Sequence, residues 1–305
     1  MLASIPASIS AERRRRATAR FGREPAAFAA ASMLLLLILA ALAAPLLCRW
    51  WGLDPAAVDL LARFEPPSAA HPLGTDELGR DLLARLLYGG RISLFVGVTG
   101  AVLAAAIGTC IGLAAGFTGG AVDSTLMRVT DAVLSLPLLP ILIVVAAIDP
   151  AKLGLGLLPA EGLAVAKIVV IVALFGWPST ARLVRAQVLS LRRREFVTAA
   201  RALGGNGLHI ALRHVLPNAA GPIVVATTLA AGDVILAESV LSFLGLGIQP
   251  PTPSWGNMLT GAQELVWDTP MLAVWPGLLI FTAVVCFNLI GDGLSAALDP
   301  RHETR

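Results

Sequence analysis

The sequence predicts an all-α polytopic membrane protein with six transmembrane helices and both termini on the cytoplasmic side. Three observations lead there. Of 305 residues, 56% are hydrophobic and only 14% are charged, against about a quarter charged in an ordinary soluble domain. The apolar residues gather in six runs, each long enough for the roughly 20 residues that a bilayer-spanning helix requires. The 23 basic residues are unevenly placed. Most fall in the segments that this topology puts inside, as the positive-inside bias demands.

Residues 1–24 form a basic tail, with Arg13 to Arg16 consecutive and Arg20 and Arg23 following. The uncharged run from Pro25 to Leu47 is too long for a signal-peptide core, which spans about 7–15 residues. It reads as a retained first span, over 25–48. Residues 49–91 form an extracytoplasmic segment. Within it, Thr75 or Asp76 is expected to cap a short amphipathic helix on the membrane surface, ended by Gly89-Gly90. The set Asp76, Arg80 and Asp81 reads as a cap with local ion pairs rather than as a catalytic group. Residues 92–298 form the core of five further spans. The second runs from Ile92 to Val122 and is rich in Gly and Ala, which allow close helix approach in lipid. The third is Met127 to Ile148, kinked at Pro137 and Pro140. A loop from Asp149 to Glu161 follows, then the fourth span, Gly162 to Leu183, with Lys167 snorkelling toward an interface.

A polar stretch then interrupts the pattern. Residues 184–216 carry Arg185, Arg192 to Arg194, Arg201 and Arg213, and with Arg182 they hold the largest basic cluster between spans. Phe196, Ala199, Ala200 and Leu203 recur at helical spacing. Gly204-Gly205-Asn206-Gly207 breaks that helix, and a second short apolar pattern leads to Pro217, a residue suited to the first turn of a new helix. The fifth span covers Pro217 to about Leu246 and contains Asp233 and Glu238. A proline-rich loop, QPPTPSWGNML, places Trp255 as an interfacial anchor. The sixth span is Met271 to about Leu294, with Asn288 and Asp292 near its end, and residues 299–305 form a charged cytoplasmic tail. The outside segments hold Arg49, Arg63, Arg80, Arg85, Arg91 and Lys152, offset by their own Asp and Glu.

Several function classes drop out. Cys48, Cys110 and Cys286 lie far apart in or beside apolar runs, giving neither a disulfide framework nor a metal site, and read as buried apolar thiols. The four histidines form no metal or catalytic grouping. The pI near 9.1 follows membrane topology rather than nucleic-acid binding. Neither Lys152 nor Lys167 follows Gly or precedes Ser or Thr, so the chain has no phosphate-binding P-loop. If it is energised by ATP, another polypeptide hydrolyses it.

The stretch Thr198-Ala199-Ala200-x-x-x-Gly204, with Leu216-Pro217 downstream, is similar to the signature loop of ABC-importer permeases. Thr198 stands where that signature has Glu, and His214 where it has Ile. The blocks HPLGTDELGRDLLARLLYGGRISL (71–94), LSFLGLGIQPPTPSWGNML (241–259) and FNLIGDGLSAALDPR (287–301) resemble the dipeptide/oligopeptide permeases, in particular their C-type subunit, in order from about residue 25 to the end.

The resemblance implies a type I ABC importer (MetI-like) core in a bacterial inner membrane. It implies a second homologous permease forming a heterodimer, two ATP-binding subunits, an extracytoplasmic substrate-binding protein, and no cofactor. It also implies a cytoplasmic coupling helix that docks on an ATPase subunit through Phe196, Thr198, Ala199, Ala200, Leu203 and Gly204 and connects through Pro217 to the fifth span. Thr198 removes the acidic side chain of the signature. Ionisable groups within spans are costly and often functional, so Glu238, Asp233 and Asn288 are candidate pathway residues. For Glu238, lining the pathway stands beside the alternative of pairing with Asn288 or a neighbouring subunit or lying near the outer interface; for Asp233 that alternative is the favoured reading. The same architecture could carry nickel or another small solute. A secondary transporter should show inverted repeats, and an intramembrane enzyme should show a nucleophile–base pair; neither is evident.

Overall fold

The computed structural model describes residues 21–22, 24–148 and 160–298. Most of the basic tail (1–20 and 23), most of the loop after the third run (149–159) and the C-terminal tail (299–305) lie outside the described residues. Regular structure among the described residues is helical, apart from one isolated bridge between Thr75 and Asp81. The longer helices are α1 (Pro25–Leu42), α2 (Ala44–Trp51), α3 (Leu82–Thr118), α4 (Gly120–Ser135), α5 (Leu138–Ala146), α6 (Ala160–Leu191), α7 (Glu195–Ala202), α8 (Gly207–Phe243) and, after the four-residue α9 (Ala262–Leu265), α10 (Met271–Leu298). By length and composition α1, α3, α6, α8 and α10 can each cross a membrane. The pair α4 and α5 makes a sixth span if the two count as one, bent by 85° at their junction. That matches the predicted number, with a sharper break in the third run than a proline kink. Leu136, between the two, is extended (φ −83°, ψ 137°). A residue preceding proline disfavours the helical region, so Pro137 stops α4 and restarts the chain as α5.

The surface helix predicted after Thr75 is not a separate element. The helix starts at Leu82, capped by Asp81, whose Oδ1 accepts from the Ala84 N–H at 2.8 Å. It then runs through Gly89 and Gly90 without a stop and becomes the second span. The two glycines are kept for space. A Cβ on Gly90 would sit 2.9 Å from the indole of Trp255. Before α3 the chain is tied down by ions: Arg80 Nε lies 2.7 Å and Arg85 Nε 3.4 Å from Asp76 Oδ2, and His71 Nδ1 lies 3.0 Å from Asp81 Oδ2. This is the cap-and-ion-pair arrangement expected for Asp76, Arg80 and Asp81.

The centre of the bundle is α3 laid along α6. Gly108, Gly112 and Gly116 recur every four residues on one face of α3. A Cβ on Gly112 would come within 2.5 Å of the Ala181 carbonyl oxygen and 2.8 Å of the Val184 Cβ. In lipid there is little hydrophobic drive between helices, so close van der Waals approach through such small residues holds them together. α8 packs against this pair, α10 packs against α8, and α1 closes on α10. Lys167 Nζ donates to the Ala146 carbonyl at 2.9 Å, tying α6 to α5, where snorkelling was expected. Outward faces remain apolar, as at Phe28, Leu36, Leu39, Val144, Val170 and Phe281, which suits contact with lipid rather than water. Cys48 and Cys286 are buried as expected; Cys110 is exposed.

One end of the bundle gathers the C-terminus of α3, α7 and the start of α8; we term it the α7 end. The other carries the loop around Trp255.

Candidate coupling surface and membrane cavity

At the α7 end, α7 is a two-turn amphipathic helix with Glu195 in its first turn and Arg201 in its last, an arrangement that complements the helix dipole. Gly204 follows with φ +80°, a left-handed conformation that ends a helix at little steric cost to glycine. Asn206 starts the next helix, its side chain accepting from the Leu208 N–H at 3.2 Å. Two faces result. Val197, which sequence periodicity missed, and Ala200 are buried against Leu113, Val184, Val188, Ile210, Ala211 and Val215. Phe196, Thr198, Ala199, Leu203 and Gly204 are exposed, Leu203 at 73%. Ala200 is therefore an internal anchor rather than part of an outer surface. The helical spacing was right, but the buried stripe is centred one residue away, between 197 and 200.

The expected elbow is half present. The pattern after Gly207 is not a second separate helix. α8 runs from Gly207 to Phe243 through one π turn at Ala211–Val215, and Pro217 lies exposed just beyond that turn. An extra residue in the turn is a common way to fit a proline, which lacks an N–H, into a helix without breaking it. The α7 region is also fastened to the bundle. Arg192 Nη1 donates to the carbonyls of Phe117 (3.0 Å) and Gly116 (3.3 Å), satisfying the C-terminus of α3. Arg201 stacks over Phe117, 5.6 Å from its ring centre. Arg185 makes two bonds to Asp123 (2.5 and 2.6 Å) and Arg182 one to Asp131 (2.5 Å), joining α6 to α4. Much of the basic cluster read as a topology signal is also a set of braces.

At the opposite end Trp255 is 2% exposed. It is a buried plug, not an interfacial anchor. Its indole N–H donates to the Leu86 carbonyl at 3.0 Å and its backbone N–H to Ser93 Oγ at 3.1 Å. Ser93 Oγ in turn donates to Glu238 Oε2 at 3.0 Å, and Ser242 Oγ donates to Glu238 Oε1 at 2.7 Å. Ser242 Oγ also accepts from the Ile248 N–H at 3.1 Å. Asn257 closes the loop from within, donating to the carbonyls of Thr252 (2.7 Å) and Ile248 (3.2 Å). Glu238 is completely buried. It is the centre of a clamp that joins α3, α8 and the loop; a place near the outer interface was among the readings from sequence, but the clamp and its partners were not.

Asp233, one turn and a half below Glu238, behaves oppositely. It is exposed and lines a cavity of about 380 Å³. The walls come from the α4–α5 break (Leu134, Leu136, Leu138), from α6 (Phe175, Gly176, Ser179) and from α8 (Leu229, Ala230, Asp233). The sequence favoured a paired or interfacial role for Asp233; the structure puts it on the cavity and leaves Glu238 off it. Asn288 is exposed on α10, and it meets neither acid.

The arrangement thus has three parts: an exposed helix face at one end, a clamped loop at the other, and a cavity at mid-depth between broken and continuous spans. Residues 108–304 match the family described as binding-protein-dependent transport system inner membrane component. That range holds α7, its braces and every wall of the cavity except Ala104.

The chain belongs to this family.

Among its relatives, a permease protein of Brucella suis biovar 1 (strain 1330) is 42% identical over 256 residues, 83% of this chain and 81% of the relative. A glutathione transport system permease protein of Pectobacterium atrosepticum is 43% identical over 237 residues, 78% of this chain and 75% of the other. A dipeptide transport system permease protein of Alkalihalophilus pseudofirmus is 42% identical over 242 residues, again 78% and 75%. The protein is thus a multi-pass inner-membrane component of an ABC transport system, whose partners include a substrate-binding protein and ATP-hydrolysing subunits.

Proposed function

We propose that this chain is the pathway-forming permease subunit of an ATP-driven importer of dipeptides or oligopeptides. In this reading it pairs with a homologous permease as a heterodimer, carries no catalytic activity, and lies with both termini and residues 184–216 in the cytoplasm. The relatives named for dipeptide and glutathione transport support peptides as the cargo. One observation carries the mechanical part: the exposed face of α7 leads through a single tight turn into α8, a helix continuous to Phe243. Phe196, Ala199 and Leu203 offer an apolar surface to an ATPase subunit, and Thr198 and Gly204 leave room for its approach. Ala200 and Val197 hold α7 to the bundle. Closure of the ATPase subunits would displace α7, and α8 would deliver that movement past Pro217 to Asp233 at the cavity.

The test is reconstitution in proteoliposomes with the sister permease, the ATPase subunits and the binding protein. Peptide uptake should require ATP and be blocked by vanadate. Leu203→Asp should sharply reduce uptake while the purified subunit stays folded, because residue 203 touches little in its own chain. ATP-independent uptake would reject the reading.

A further inference from the structure

Asp233 is an exposed carboxylate at mid-depth of α8. At 1.5 Å per residue it lies about 15 Å from the outer end of the helix at Phe243 and about 24 Å from Pro217. A charge at such depth is costly unless something offsets it. Among the described residues no donor or cation is within bonding distance of it. The cavity that it faces has otherwise apolar walls, with Ser179 and Thr180 the other side-chain polar groups. Its volume of about 380 Å³ falls in the range of small-ligand pockets, about 300–1,000 Å³.

We propose that the Asp233 cavity is a subsite for the protonated terminal amino group of the translocating peptide. This rests on the reading of the cargo as peptide. A single carboxylate suits a monovalent ammonium. A divalent metal ion would want several more oxygen donors. The α-amino group, with an ordinary pKa of about 7.7–8.0, is largely charged at neutral pH, and every unblocked linear peptide carries one whatever its side chains. A site that grips this group between leucines and Phe175 therefore orients the chain without reading its sequence. The wall at Leu136 and Leu138 belongs to the α4–α5 break, so a change of bend there would open or close the site around its one charge.

The experiment uses the complete reconstituted complex. The probe is trialanine carrying a benzophenone amino acid at either its first or its third position, its terminal amine free in both. With Asp233 intact, the first-position probe should label the α8 segment 226–237 on illumination and the third-position probe should not. Asp233→Asn should abolish that label and lower uptake about tenfold or more, the loss of one charged hydrogen bond. ATP hydrolysis stimulated by the loaded binding protein should persist, showing an assembled complex. Asp233→Glu should keep most uptake and labelling. Normal uptake by Asp233→Asn, equal labelling from both probe positions, or failure of Asp233→Glu alongside Asp233→Asn would overturn the subsite while leaving peptide import intact. Absence of uptake of any peptide by the unaltered complex would reject the cargo, and the subsite with it.

Discussion

Replacing Trp255 with alanine tests whether the outer loop is plugged into the bundle or merely rests at the membrane surface. The indole is 2% exposed and lies against Gly89 and Gly90 of α3. Truncating a buried Trp to Ala costs about 3–5 kcal/mol. For chains of 150–250 residues each kcal/mol moves Tm by about 2–4 °C, so the lower figure fits a chain of this size and the drop should be on the order of 6–10 °C. Trp255→Phe keeps most of the apolar contact but loses the bond to the Leu86 carbonyl, for about 1 kcal/mol. The sharper version is a double-mutant cycle with Gly90→Ala. In the unaltered protein the new Cβ would meet the indole at 2.9 Å and overpack, at about 1–3 kcal/mol. In the Trp255→Ala background the same methyl enters vacated space and should be close to neutral. A coupling of about 1–3 kcal/mol is expected. The assay is thermal unfolding in detergent with a thiol-reactive fluorophore in a Cys110→Ala background, which removes the exposed thiol, since Cys48 and Cys286 are buried until the bundle opens. Additive effects of the two substitutions, or a Trp255→Ala shift under about 2 °C, would refute the plug and restore the interfacial anchor.

Gly112→Val should disrupt the α3–α6 contact, because its Cβ alone would lie 2.5 Å from backbone; the yield of folded protein on size exclusion should collapse, whereas Gly277→Ala, inside α10, should be far milder, since a Cβ there meets nothing within 4 Å. Arg185→Ala should lower Tm only slightly, about 1 kcal/mol or less for a half-exposed pair, and exchanging Asp123 and Arg185 together should recover part of the loss. Glu238→Gln keeps the size of the clamp but replaces one accepting oxygen with a donor. Whichever of Ser93 and Ser242 faces the new NH2 must then reorient, and faster proteolysis within 248–260 is expected without loss of the helices.

Much of the architecture was legible because the bilayer enforces long apolar runs. The positions of α1, α6, α8 and α10 could be read from run length alone. What failed were local signals overruled by tertiary contacts. Gly89-Gly90 reads as a helix stop, but those glycines are required by an indole 165 residues away in sequence. Thr75, Asp76 and Asp81 are all acceptable caps, and only the ion pairs around Arg80 and Arg85 select Asp81. At α7 the 3.6-residue period was correct, yet period does not say which side is covered; the packing of Val197 and Ala200 against α6 decides that. Glu238 and Asp233 look alike in sequence, five residues apart, and so sit on different faces of α8. One is enclosed by Ser93, Ser242 and the Trp255 loop, the other opens to the cavity. The fastening of Arg182, Arg185 and Arg192 to α4 and α3 was hidden inside a charge bias that already had a sufficient explanation in topology.

The central claim is that the outward face of α7 docks on an ATP-hydrolysing subunit. Single cysteines introduced at Ala199 or Leu203, with Cys48, Cys110 and Cys286 replaced, should cross-link to that subunit in the assembled complex, while cysteines at the inward positions Val197 and Ala200 should not. Cross-links from the inward pair alone, or none from Ala199 and Leu203 in a complex that still imports, would contradict it.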